Sequence, residues 1–168
     1  VPKDIGVIGS GRPTESVVTF QLVDMDGDPV SKSYTMNFTM TGPPGAYIEP
    51  TTADTTDGRA STLVHAGKYS GPVQITATVT VDNPYGPGTI DLVASVSEVY
   101  IHADVPNYEG LSLAIEPGKI NLPGLSYYGY TATVTAFVRD HFTNPVTENT
   151  TVYFASEAGI IKASESPT

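Results

Sequence analysis

Asp24-x-Asp26-Gly27-Asp28 places three carboxylates within five residues. Alternating aspartates in a loop can aim oxygens at one hard cation, so Asp24, Asp26 and Asp28 form a candidate Ca2+ site. The EF-hand pattern is absent, because no glutamate follows at the required spacing. A plainer reading carries more weight. Aspartates in a hairpin turn bond the local backbone N–H groups and need no metal to do so. Apart from this Ca2+, no cofactor is expected.

The other reactive residue types are scattered. His65, His102 and His141 lie in separate strands or turns, whereas a metal site needs converging ligands. Ser126 sits in Gly124-Leu125-Ser126-Tyr127-Tyr128-Gly129, which is not a nucleophile elbow. Gly6, Gly9 and Gly11 are not followed by the Lys-Ser/Thr of a phosphate loop. No pair of carboxylates is singled out for acid–base work, so an enzyme is not expected. Tyrosine is abundant at 10, and Tyr127, Tyr128 and Tyr130 stand close together. Exposed tyrosines stack on sugars or anchor protein partners, which makes these three a candidate ligand-binding cluster. More often such residues cap the end of a sandwich or pack against a neighbouring module.

Charge narrows the partners. Lys plus Arg is 8 against 18 Asp plus Glu, for a net charge of −10. Phosphate backbones and anionic membranes repel such a surface, so neither nucleic acid nor a membrane is an expected partner. No apolar run approaches the length of a membrane helix. Cysteine is absent, which removes disulfides, thiolate metal sites and cysteine nucleophiles together.

The elements that must position these residues are strands. The 168 residues include 22 threonines, 18 valines and 10 isoleucines but only 7 leucines. β-Branched residues favour the pleated sheet, and 16 glycines with 14 prolines supply turns. Alternation is the dominant pattern. Val18, Phe20 and Leu22 share one face of the first run; Tyr34, Met36, Phe38 and Met40 share one face of the next. A further strand is expected from Arg59 to Ala66. Val73, Ile75, Ala77, Val79 and Val81 alternate with polar residues, as do Ile90, Leu92, Ala94 and Val96 in the main. One dry face and one wet face per strand is the pattern of antiparallel sheets packed as a sandwich.

The pattern then recurs. Asp24, Pro29, Val30 and Phe38 match Asp140, Pro145, Val146 and Phe154 at a constant offset of 140 − 24 = 116 residues. Repetition at fixed offset argues for tandem modules. Residues 1–104 are expected to form the first, 105–110 a linker, and 111–168 the N-terminal part of a second, truncated one. Half a sandwich exposes apolar surface and strand edges. The second part is therefore expected to be loosely ordered or completed by another chain, with oligomers as one outcome.

The succession resembles the bacterial immunoglobulin-like domains of the invasin/intimin group. The resemblance rests on Asp24-x-x-Gly27-x-Pro29-Val30, then Gly45-Ala46-Tyr47-Ile48-Glu49-Pro50, Thr55-Thr56-Asp57-Gly58-Arg59-Ala60 and Gly71-Pro72-Val73-Gln74-Ile75. A similar copy runs from Thr131 to Ile161. The resemblance implies an all-β, immunoglobulin-like Greek-key β-sandwich followed by a partial second sandwich module. It further implies a non-catalytic repeat of an exported, cell-surface adhesin, serving as stalk or binding module. Expected partners are neighbouring modules and a host-cell protein or glycan. Two alternatives stay open: a carbohydrate-binding or accessory module of a secreted enzyme, and an assembly subunit completed by a neighbour's strand.

Overall fold

In the computed structural model, residues 3–118, 131–146, 150–157 and 160–162 are described. They are all-β, as the alternation implied. The strands are β1 (Asp4–Gly6), β2 (Glu15–Gln21), β3 (Thr35–Thr41), β4 (Tyr47–Glu49), β5 (Thr52–Asp54), β6 (Arg59–His65), β7 (Gly71–Asp82), β8 (Thr89–His102), β9 (Ser112–Glu116) and β10 (Thr133–Phe137). One short 3₁₀ turn, Tyr108–Gly110, precedes β9.

Two sheets form the sandwich. The larger has the order β1-β8-β7-β3-β5, and the smaller has the order β2-β6-β4. β1 runs parallel to β8, while the other pairs are antiparallel. The core lies where the inner faces meet. Ile5, Val64, Val73, Ile75 and Ile101 are fully buried, and Met36, Phe38, Ala77 and Val79 nearly so. Burying a Val or Ile side chain is worth about 1.5–3 kcal/mol, so β7 is the main apolar donor to the sandwich. Phe20 stacks on Phe38 across the sheets, with ring centroids 5.8 Å apart.

Local chemistry fixes the reversals. Asp57 and Gly58 both have positive φ, 50° and 71°, and Thr56 and Arg59 exchange backbone hydrogen bonds across them. This two-residue turn needs an αL-tolerant pair, which Asp-Gly supplies. Gly58 is also held against the first hairpin: its carbonyl accepts the Leu22 N–H at 2.6 Å, and a Cβ there would lie 2.5 Å from the Leu22 carbonyl oxygen. Buried hydroxyls are matched inside the sandwich. Thr62 Oγ1 donates to the Pro50 carbonyl at 2.7 Å, and Thr55 Oγ1 accepts the Tyr34 N–H at 3.0 Å.

One stretch departs from its sequence pattern. Ile90, Leu92, Ala94 and Val96 share the inward face of β8, opposite Val81, Val79, Ala77 and Ile75. Yet Leu92 is 39% exposed, Ala94 is exposed, and Ile90 and Val96 are only half-buried. Among the described residues, the smaller sheet stops at β2 and lays no strand over this part of β8. Alternation reports which face a residue occupies, not whether anything covers that face.

β9 and β10 make a separate two-stranded antiparallel sheet. Leu113, Ile115, Val134 and Phe137 on it are all more than 40% exposed.

Candidate functional site

The Asp24 loop closes on itself. Asp24 Oδ1 accepts the N–H groups of Asp26 at 3.0 Å and Asp28 at 2.9 Å. Asp24 N–H donates to the Asp28 carbonyl, and Gly27, at φ 89°, returns its N–H to the Asp24 carbonyl. One carboxylate oxygen is thus committed to the turn itself, and Asp24, Asp26 and Asp28 are all exposed. Among the described residues no group of three or more His, Cys, Asp or Glu side chains is arranged to hold a metal ion.

The same loop recurs 116 residues later, bond for bond. Asp140 Oδ1 accepts the N–H groups of Phe142 and Asn144, both at 2.8 Å. Asp140 N–H donates to the Asn144 carbonyl, and Thr143, at φ 70°, donates to the Asp140 carbonyl. Val146 N–H reaches the Val138 carbonyl as Val30 N–H reaches that of Leu22. The environments differ completely. Asp24 is exposed, whereas Asp140 is 1% and Asn144 is 5% exposed.

The second loop is buried because it docks on the sandwich. Asn144 Oδ1 accepts the Ser70 N–H at 3.0 Å, and Asn144 Nδ2 donates to the Lys68 carbonyl at 2.8 Å. Asp140 Oδ2 accepts the Asp104 N–H at 3.1 Å and Asn144 Nδ2 at 2.8 Å. Phe142 packs against the core cluster, with the Lys68 ammonium 5.7 Å from its ring centre. His141 Nδ1 lies 3.3 Å from Asp104 Oδ2. The chain between the two parts is fastened as well: Asn107 N–H donates to the Arg139 carbonyl, and Arg139 N–H to that of Gly110.

Electrostatics favours a charged Asp140. Burial is the largest single influence and opposes ionisation. The four donors outweigh it together: the Asn144 amide and the N–H groups of Asp104, Asn144 and Phe142. The carboxyl is held below the usual aspartate value. A cleft of about 460 Å³ opens beside this joint, with Arg12, Tyr100, His102, Asp104 and Thr150 in its lining.

Sequence reasoning placed its candidates elsewhere. Tyr127, Tyr128 and Tyr130 lie outside the described residues. His65 and His102 are apart from each other and pair locally, with Glu15 at 3.1 Å and Asp4 at 3.0 Å. His141 alone reaches the joint. In the sequence Asp140 stands out only as a copy of Asp24, and Ser70 and Asp104 carry no signal of their own. The signal was present where the copies differ: Phe142 stands where the first loop has Asp26, and Asn144 where it has Asp28. Those two substitutions supply the apolar and amide contacts of the joint.

Comparison with protein-family models, with curated proteins and with solved structures found no match.

Proposed function

We propose that this chain is a length of tandem immunoglobulin-like sandwiches whose work is structural: it sets the direction in which a bacterial surface protein extends. The sheet orders β1-β8-β7-β3-β5 and β2-β6-β4, with β1 crossing to run parallel to β8, support the immunoglobulin-like reading. The observation that carries the structural role is the joint itself. Asp140 and Asn144 are buried polar groups with each hydrogen-bonding oxygen and amide matched, two of the partners lying in the Lys68–Ser70 turn. Directional hydrogen bonds define an orientation, where an apolar contact alone would permit sliding. The acidic surface keeps such a rod soluble and separate from its neighbours. In this reading the chain performs no catalysis and presents a binding site carried elsewhere. Localisation at the cell surface follows from the invasin/intimin resemblance and belongs to the same proposal.

The test is 15N relaxation of the full chain. A stalk segment requires residues 133–146 to tumble with the same correlation time as β7. Independent tumbling of the two parts would remove the structural role. Beads coated with the folded chain then separate spacer from adhesin, since saturable capture of cells or glycans would make the chain itself a recognition module.

A further inference from the structure

The outer face of the smaller sheet carries an aromatic platform that the stalk reading does not use. Side chains alternate along each strand and line up across the sheet, so β2, β6 and β4 set their residues in rows. One row runs Glu15–His65–Tyr47, and the next runs Val17–Leu63–Glu49. Ser16, Val64 and Ile48, which alternate with them, are buried, and this fixes both rows on the outward face. His65 is held at the centre of its row. Its Nδ1 lies 3.1 Å from Glu15 Oε1, and its ring stacks on Tyr47 with centroids 4.5 Å apart and planes within 10° of parallel. One face of the phenol ring is thus covered, yet Tyr47 is 53% exposed. β4 is an edge strand, with no strand beyond it among the described residues. The uncovered face of Tyr47 therefore looks out from the sheet edge. A ring already fixed by its neighbour loses little freedom when a ligand stacks on it.

Size and charge select the ligand. Two rows across three strands measure about 10 Å by 7 Å, the span of a sugar ring with its substituents. A stable protein interface covers about 800 Å² on each partner, about ten times that area. Val17 is 42% exposed and Leu63 half-buried, so the platform has apolar surface beside the ring, suited to the C–H face of a pyranose. Glu49 is exposed on the same face, two residues along β4 from Tyr47. Arg59, at the far end of β6, is the one Lys or Arg among the strand residues of this sheet. Two carboxylates with no cation beside them, on a chain of net charge −10, favour a positively charged substituent and disfavour an acidic one.

We propose that Tyr47, Glu49 and the apolar residues beside them form a binding platform for an amino sugar, a pyranose whose amino group is free. The C–H face of the sugar stacks on the Tyr47 ring, and its ammonium donates to the Glu49 carboxylate. The site lies on the first sandwich, goes beyond the stalk reading and does not depend on the joint.

The test titrates the full chain with glucosamine and follows the 15N–1H spectrum. Saturable shifts confined to β4 and the neighbouring end of β6 are expected, with a Kd of about 1–10 mM. N-acetylglucosamine keeps the ring and loses the charge, while methylammonium keeps the charge and loses the ring. Each should bind about three- to tenfold more weakly. Tyr47→Ala should weaken glucosamine binding about fivefold or more, and Tyr47→Phe should retain it, since only the ring face is used. Glu49→Gln should erase the preference for glucosamine over N-acetylglucosamine. Tyr47 and Glu49 are both exposed, so the melting temperature should stay in place in all three variants. No saturable shift up to about 100 mM glucosamine, or equal affinity for methylammonium, overturns the platform. Equal affinity for N-acetylglucosamine overturns the choice of an amino sugar, and shifts centred elsewhere on the chain overturn the location.

Discussion

Asn144→Ala is the sharpest test of the joint. The side chain makes two hydrogen bonds across it, to Ser70 N–H and the Lys68 carbonyl, and a third to Asp140. Truncation removes the bonds and leaves two backbone groups of the Lys68–Ser70 turn without partners. A net hydrogen bond is worth about 1 kcal/mol, and a buried unmatched group costs about 1–3 kcal/mol. Water entering from the neighbouring cleft satisfies part of that loss, so the joint should weaken by about 2–4 kcal/mol. At about 1.4 kcal/mol per decade this corresponds to a population of the open joint raised about 30- to 1,000-fold. The readout is the Asp104 amide, which donates to Asp140 Oδ2 and is not touched by the substitution. Its exchange should accelerate by that factor, up to the limit of its original protection, while Ile75 in β7 keeps its rate. An unchanged Asp104 amide would show that the joint does not open as a unit, and the reasoning from Asn144 would fail.

Further outcomes are expected from the same geometry. The Asp140 carboxyl is held below its unfolded value, so its contribution is complete above that value and is lost as pH falls through the folded one. The joint should therefore loosen below about pH 4, which an acid titration of the Asp104 and Phe142 amide shifts would follow. Gly110→Ala should open the joint without unfolding the sandwich, because the new Cβ would lie 2.3 Å from the Arg139 carbonyl oxygen; small-angle scattering would register the loss of a fixed shape. Asp24→Ala should lower stability by about 0.5–2 kcal/mol, as for loss of a capping carboxylate. That loss should be the same with calcium or chelator in a thermal melt, and a calcium-dependent difference would restore a cation to the turn.

Much of the architecture was legible because alternation is a local property. The faces of β3 and β7 could be read directly, since Met36 and Phe38, and Val73 through Val79, recur at period two and are buried in that phase. The Asp57-Gly58 turn was legible for the same reason, its positive φ values being a demand on two adjacent residues. The short strands β1, β4 and β5 were not, because three residues carry no period and exist through their partners. The exposure of Leu92 and Ala94 was equally hidden, since their pattern is that of a core strand and only the extent of the opposite sheet decides what covers them.

The two aspartate loops mark the division most clearly. That Asp24 and Asp140 each close a turn is a local matter, because the bonds that close it span four residues or fewer. The offset that relates them is equally plain from residue order. That one loop faces solvent while the other is buried against residues 68–70 and 104 is a matter of the folded chain's path. Those partners are up to 76 residues distant, and their meeting depends on the path of the chain from β8 through the 3₁₀ turn. Hydrogen-bonding capacity is written in residue types, but the partner that satisfies it is set by where the folded chain brings a backbone group within reach.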